Sequence, residues 1–207
     1  MRFMLASGNA HKLTEFGRIL APHAVLPMPD WVTLPPEGVT SFSENAREKA
    51  LALARALAGR GETEAWCLAD DSGLEAEALG RAPGVSSARY AGVDGPGADA
   101  ANVARLLEEL AGCADPRARR ARFVCAVCAV SPELTEYAVE GHWSGAIAAA
   151  PRGAGGFGYD PVFVPDGSSL SVAEWPAGEK DRASHRARAG KALLEHLLRE
   201  GVLGVRA

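Results

Sequence analysis

The chain is poor in the features that would commit it to a membrane, a disulfide scaffold or a nucleic-acid surface. No apolar run approaches the ~20 residues that span a bilayer. The N-terminal stretch Met1-Arg2-Phe3-Met4-Leu5-Ala6 is too short for a secretory signal and leads straight into a motif, so a cytoplasmic location is the expectation. Four cysteines, Cys67, Cys113, Cys125 and Cys128, are too few and too scattered for a disulfide framework. Cys125 and Cys128 do form a CxxC, but within the uniformly apolar run 123–130, which reads as a buried strand with the thiols as small hydrophobes. No second Cys or His pair stands close enough in sequence to complete a zinc site. A net charge of −4 gives no general attraction to duplex nucleic acid or an anionic membrane, so any phosphate must be held by a local cluster of Lys, Arg and backbone amides. Internal repeats, low-complexity tracts and a clear linker are also missing. The 207 residues therefore read as a single domain, 1–207, large enough for a substantial core.

What is present alternates between the two hydrophobic periods. Residues 2–7 read as a strand, Gly8-Asn9 as a turn, and 10–20 as a helix with Leu13, Phe16, Ile19 and Leu20 on one side. An extended piece at 24–27 precedes a proline-rich loop over 29–40. Ser43 is the expected N-cap of a helix that runs to Ala58 and closes at Gly59. A strand carrying Asp70-Asp71, Gly/Pro-rich turns over 80–84 and 86–92, and an amphipathic helix over 98–110 follow. Strands at 122–131 and 137–143 flank Pro132-Glu133 as an antiparallel pair, and the basic run Arg117, Arg119, Arg120 and Arg122 before them reads as a solvated loop. A flexible Gly-rich loop over 153–161, a short strand at 162–164 and a helix from 184 to 200 complete the chain. The product is a mixed α/β fold around a central sheet.

The stretch Leu68-Ala69-Asp70-Asp71-Ser72-Gly73-Leu74 stands at the centre of this order. A strand that delivers acids to a turn places them at the rim of a sheet, where open α/β folds bind ligands. Neighbouring residues of a strand face opposite ways, so Asp70 and Asp71 cannot both meet one ligand. Asp71, nearer the expected turn, is the working acid, and Asp70 supports it. An Asx turn with both carboxylates solvated would satisfy the same seven residues.

Four other groupings carry chemistry. Ser7-Gly8-Asn9-Ala10-His11-Lys12 joins strand to helix, where a glycine turn exposes amides, the helix dipole adds positive charge and Lys12 reaches a phosphate. His11 itself reads as a first-turn surface residue. Glu37, Glu44, Asp70 and Asp71 make an acid set of the kind that holds Mg²⁺ beside a nucleotide, with Glu37 or Glu44 as the companion of Asp71, and Lys49 lies on the same helix as Glu44. Phe157-Gly158-Tyr159-Asp160 offers rings and hydrogen-bonding groups suited to a planar base, or else a rigid corner with its aromatics in the core. Lys180 with Ser184-His185-Arg186 gathers donors at a helix start.

In this order the motifs resemble the inosine triphosphate pyrophosphatases, enzymes that clear deaminated purine nucleotides. The match runs through Ser7-Gly8-Asn9 with Lys12 and Glu15, Phe42-Ser43-Glu44-Asn45-Ala46 with Lys49, and Asp70-Asp71-Ser72-Gly73-Leu74. It continues through Leu79-Gly80, Ala82-Pro83-Gly84, Ser87-Ala88-Arg89-Tyr90, Gly156 to Pro161 with Phe163, Glu179-Lys180 and Ser184-His185-Arg186. The resemblance implies an elongated two-lobed α/β fold with a nucleotide cleft between the lobes, a homodimer, and Mg²⁺-dependent hydrolysis of ITP, dITP and XTP to the monophosphate and pyrophosphate. It makes Asp71 the proton acceptor and a metal ligand, with Glu37 as the second metal acid. Glu37 is placed by its spacing from Phe42 and Glu44, since 31–36 carry no family motif. Ser7, Gly8, Asn9, Ala10, His11, Lys12 and Lys49 would hold the triphosphate; Ser72, Phe157, Gly158, Tyr159, Asp160, Lys180, His185 and Arg186 would hold the nucleoside. Neither a nucleic-acid polymer nor a membrane is implied. The competing readings are a Maf-like nucleotide pyrophosphatase, distinguished by its substrates, and a nucleotide-binding module without catalysis.

Overall fold

Residues 1–62, 64–113, 115–176 and 178–204 are described by a computed structural model. Among them the order is β1 (Arg2–Leu5), α1 (Ala10–Ile19), β2 (Ala24–Pro27), α2 (Phe42–Ala58), β3 (Trp66–Ala76), α3 (Ala98–Glu109), β4 (Arg120–Val130), β5 (Glu136–Ile147), β6 (Phe163–Pro165), α4 (Lys180–Ala183) and α5 (His185–Arg199), with short 3₁₀ turns between. The strands form one mixed sheet in the order β2-β1-β3-β4-β5-β6. β1 is parallel to β2 and β3, and β6 is antiparallel to β5. β4 and β5 are neighbours joined only by residues 131–135, a connection too short for a parallel crossover, so they form the expected hairpin. No described helix is long and apolar enough to cross a membrane.

The chain divides into two compact units. The first comprises Met1–Asp71, Cys125–Gly141 and Ser184–Ala207. Its core is built by Phe3, Leu5, Phe16, Leu20, Leu68, Cys125, Val127, Leu193 and Leu197, from β1, α1, β3, β4 and α5. β4 is buried on both faces over residues 123–130, which explains why that run shows no alternation. Helices α1 and α5 approach closely, and Gly190 makes this possible: a Cβ there would lie 2.5 Å from Ile19 Cγ2. Along β3, Leu68 and Asp70 share the face toward α1 and α5, whereas Cys67, lying beside Ala54 and Leu57 of α2, shares the opposite face with Ala69 and Asp71.

The second unit comprises Ser72–Val124 and His142–Ala183. Its core joins Leu74, Val103, Leu106, Phe123, Trp143, Tyr159 and Phe163. Phe163 packs edge-on against Phe123 at 4.6 Å and Trp143 at 5.5 Å between ring centroids.

Three local expectations change. β3 does not turn at Ser72-Gly73 but continues to Ala76, where the strand ends beside a bridge between Glu75 and Pro83. The cap of α2 is Ser41, whose hydroxyl accepts from Glu44 N; Ser43 lies inside the helix and donates to Glu140. The basic run is not a solvated loop throughout. Arg119 is buried and donates to the carbonyls of Leu110, Ile147 and Ala148, and Arg120 and Arg122 pair with Asp166 and Glu75.

The cysteines behave as core residues. Burial pushes the Cys67 and Cys128 thiols up to about 11 and raises Cys125 as well. Cys113 is half-buried. Iodoacetamide at pH 8 is therefore expected to label the native protein at Cys113 alone, with the others reacting only in denaturant, since the thiolate is the nucleophile. Mass spectrometry of tryptic peptides reads this directly, and native labelling of Cys125 would contradict it.

Candidate active site

The first unit concentrates charge on both faces of β3. On one face Asp70 is fully buried, with Lys12 Nζ 3.0 Å and the Arg186 guanidinium 3.5 Å from its Oδ2. Arg186 also forms a short ion pair with Glu15 of α1. Burial alone would raise Asp70, but Lys12, Arg186 and Lys49 outweigh it and hold the carboxyl well below the usual range. Lys12 stands on the first turn of α1 because Asn9 caps that helix, accepting from His11 N and Lys12 N. Asn9 N in turn donates to Ser7 Oγ at 3.2 Å, closing the turn around Gly8. Gly8, Asn9, Ala10 and His11 are exposed, so this helix start faces solvent with Lys12 anchored beneath it.

On the other face, Asp71 is buried and belongs to a second network. Asn45 Nδ2 donates to Asp71 Oδ2 at 2.7 Å, and Lys49 Nζ lies 3.8 Å from Asp71 Oδ1 and 2.8 Å from Glu37 Oε1. Asn45 and Lys49 sit one turn apart on the buried stripe of α2, among Phe42, Ala46, Ala50, Leu53 and Leu57. Two polar side chains on an otherwise apolar face mark a site rather than a packing surface. Burial raises Asp71 above an ordinary carboxylate and Glu37 adds to it, with Lys49 and the Asn45 bond opposing. Burial also works against the charge on Lys49, yet Asp70, Asp71 and Glu37 together hold it above the ordinary lysine value. The two aspartates are thus tuned in opposite directions across one strand.

Whether a divalent ion suits this face can be judged from the donors. Among the described residues no group of three or more His, Cys, Asp or Glu side chains converges, so a protein-only cage is missing. Two carboxylates that share one ammonium, Glu37 and Asp71, are the hard oxygen pair that Mg²⁺ takes when phosphates and water complete its shell. The donors fit. Glu44 pairs with Arg47 at the start of α2, whereas Glu37 shares Lys49 with Asp71, so the geometry favours Glu37 as Asp71's companion.

In the second unit, the loop over 153–161 is shaped by its glycines and by Asp160. Gly156 has φ +73°, and a Cβ there would lie 2.1 Å from Asp160 Oδ2. That carboxylate accepts from Phe157 N at 3.0 Å and from Lys180 Nζ at 2.6 Å. The same ammonium lies 4.1 Å over the Phe157 ring, a cation–π contact that holds the half-buried ring beside α4. Gly158 N donates to Asp99 at the start of α3, at 2.7 Å. Tyr159 is a core residue, its hydroxyl donating to Ser87 O at 2.9 Å.

The sequence-expected residues therefore fall into groups. Within the first unit, Lys12 meets Asp70, and Lys49 meets both Glu37 and Asp71. His185 is buried as the first residue of α5, capped by Ser184, and Arg186 beside it is enclosed with Asp70 and Glu15 rather than presented to solvent. Within the second unit, Phe157, Asp160 and Lys180 come together and Tyr159 turns into the core; Ser72 continues β3 and is half-buried. Glu15 and Asn45 are the residues that sequence reasoning assigned no role. Asn45 had a visible signal, a polar residue in register with the apolar stripe of α2; Glu15 had the same signal on α1.

Comparison with known proteins adds an independent line. A model of the Ham1 family matches residues 3–196. A relative from Nocardia farcinica named dITP/XTP pyrophosphatase is 46% identical over 205 residues, covering 95% of this chain and 93% of its own. The solved structure of a HAM1 protein from Coxiella burnetii superimposes with a TM-score of 0.81 at 35% identity, covering 97% of this chain and 99% of its own. The Staphylococcus aureus Ham1 structure gives 0.79 at 34% identity, covering 98% and 100%.

Proposed function

Because the chain belongs to the Ham1 family, we propose that it is a nucleoside-triphosphate pyrophosphatase that clears deaminated purine nucleotides, converting ITP, dITP and XTP to the monophosphate and pyrophosphate. The single observation that carries this reading is the Asp71–Asn45–Lys49–Glu37 network: buried Asp71, Asn45 and Lys49 on one face of the sheet, with Glu37 reaching Lys49 from its loop. The name dITP/XTP pyrophosphatase carried by relatives at 42–46% identity supports the substrate class. We take residues 1–207 as one functional domain, in keeping with a single family model over 3–196.

In this reading Asp71 takes the proton of the attacking water, a task that its raised proton affinity suits. Asn45 holds one carboxylate oxygen by its 2.7 Å bond and so orients the base. Lys49 and Lys12 neutralise phosphate charge that develops during cleavage, and the exposed amides at the start of α1 add donors. Mg²⁺, held by Asp71 and Glu37, would supply Lewis-acid stabilisation of the phosphoryl oxygens and of the pyrophosphate leaving group. In the second unit, the Phe157 ring and the donors of Lys180 and the loop amides have the chemistry for a 6-oxo purine. Adenine presents its own amino donor where such a base presents an acceptor, and burying two donors against each other costs about 1–3 kcal/mol. His185 belongs to the same proposed nucleoside-binding set as Ser72 and the 157–160 loop. Arg186, enclosed by Asp70 and Glu15, supports the site through Asp70 and Lys12. The homodimer belongs to this proposal on the family resemblance alone.

Pyrophosphate release measured across common and deaminated triphosphates, with and without Mg²⁺, tests the reading. ITP, dITP and XTP are expected to exceed ATP by about 10- to 100-fold in kcat/KM, consistent with one mismatched donor, and activity should vanish with EDTA. Faster hydrolysis of dTTP or UTP would point to the Maf-like alternative. Tight binding without pyrophosphate release would point to a non-catalytic module.

A further inference from the structure

We propose that Asn45 is a positioning residue that sets the spacing of Glu37 and Asp71 and so pre-forms the acid pair before substrate arrives. The inference rests on the reading of those acids as the working pair.

Asn45 is 3% exposed, and its side-chain amide bonds to Asp71 and to the backbone of Gly38, the residue after Glu37. One Nδ2 hydrogen goes to Asp71 Oδ2 at 2.7 Å and the other to Gly38 O at 3.2 Å. Its Oδ1 accepts from Gly38 N at 2.8 Å. A single amide thus grips the backbone of the residue after Glu37 from both sides and holds the Asp71 carboxylate with its remaining hydrogen. The grip matters because Glu37 comes from an exposed loop, whose next side chain, Val39, is 71% exposed. Lys49, one turn further along α2, then bridges the two carboxylates. Helix α2 carries both parts on its rigid buried face, so the loop acid is referenced to a helix and not to the loop's own conformation.

No other side chain of similar size does the same. Aspartate at 45 would keep an acceptor for Gly38 N but lose both donors and set a carboxylate against Asp71. Serine would supply one donor and fall short of Gly38. Glutamine would carry the amide a methylene too far for the loop. Groups of this kind, one step removed from ligands, change metal affinity or activity by about 10- to 100-fold when removed.

The test uses the full-length protein and four variants: Asn45→Ala, Gly38→Ala, Glu37→Gln and the Asn45→Ala/Glu37→Gln double. Gly38→Ala keeps Asn45 but presses a methyl to 3.2 Å from its Oδ1, loosening the grip without touching either acid. Three quantities are read: kcat and KM for ITP, the affinity of the nucleotide-free protein for Mn²⁺ by electron paramagnetic resonance, and the melting temperature. Asn45→Ala is expected to lower kcat by about 10- to 100-fold with KM within threefold, and to weaken Mn²⁺ by about tenfold. Gly38→Ala should show the same pattern at about three- to tenfold, with an unchanged melting temperature. Because Asn45 holds both the Glu37 loop and Asp71, the double variant should lose less than the product of the two single losses.

Wild-type kcat and Mn²⁺ affinity in folded Asn45→Ala overturn the proposal, as does additivity in the double variant. If Asn45→Ala does not fold, Gly38→Ala decides: wild-type values there mean that Asn45 only stabilises the fold. A wild type that turns over no triphosphate defeats the functional reading, while the Mn²⁺ titration of Gly38→Ala still decides the grip. A wild type that binds no Mn²⁺ removes the acid pair as cation ligands, and the proposal with it.

Discussion

Asp71→Asn is expected to lower kcat for ITP by about 10³-fold or more, since a positioned general base contributes about 10²–10⁴-fold and this carboxylate is also a proposed metal ligand. Binding of a non-hydrolysable ITP analogue should stay within about threefold, because Lys12, the start of α1 and the 157–160 loop are untouched. The variant should also melt no lower than the wild type. Asp71 is held above its ordinary pKa first by burial and then by Glu37. A carboxyl raised in the folded state works against folding at every pH above that raised value, and the penalty disappears as pH falls and it protonates. Asparagine removes the penalty and keeps the shape, so calorimetry near pH 7 should show an equal or higher melting temperature, with the difference closing toward acid pH. Loss of activity together with a lower melting temperature would mean that Asp71 is structural. Retained activity would mean that another group takes the proton.

The part of this arrangement that depends on neighbours in sequence was legible from the residues. Asp70 and Asp71 on opposite faces follow from strand geometry alone, and the structure gives each its own cationic partners, Lys12 and Arg186 against Lys49. Helix α1 and Lys12 on its first turn also lie within a few residues of the Gly8-Asn9 turn. What was not legible depends on distant residues or on competition between similar ones. Ser41 and Ser43 are equally good caps by type, and the choice falls to the one whose hydroxyl meets Glu44 N while the other finds Glu140, 97 residues away. Gly73 invites a turn, yet it is buried in β3, and the chain turns only after Ala76. Arg119 reads as one charge in a basic run until the carbonyls of Leu110, Ile147 and Ala148 are brought around it.

Arg186 is the sharpest case, because its neighbourhood carries a family motif and its environment is set by residues 116 and 171 positions away. As a base-contacting side chain, its loss would change substrate preference. Enclosed with Asp70 and Glu15, it has a different predicted consequence. Arg186→Ala takes a cation away from two buried carboxylates, Asp70 and Glu15, and removing one partner of a buried network costs about 3–5 kcal/mol. Taking about 3 kcal/mol, the melting temperature should fall by about 6–12 °C for a chain of this size. The pH dependence identifies the cause. In the wild type Asp70 is held low, so it stabilises the fold above its unfolded pKa, about 3.9, and that contribution is lost as pH falls below it. In the variant Asp70 has lost one of the cations that hold it low, so it contributes less to stability above its unfolded pKa. The stability gap between wild type and variant should therefore hold from pH 7 down to about 4 and shrink below that, as measured by urea unfolding at each pH. Arg186→Met combined with Asp70→Asn and Glu15→Gln should recover much of the lost stability, since the charges go together and the volume stays. A wild-type melting temperature in Arg186→Ala, with only the ratio of ITP to GTP turnover altered, would return this arginine to the substrate. A constant gap across pH would show that packing, not the buried charges, accounts for the loss.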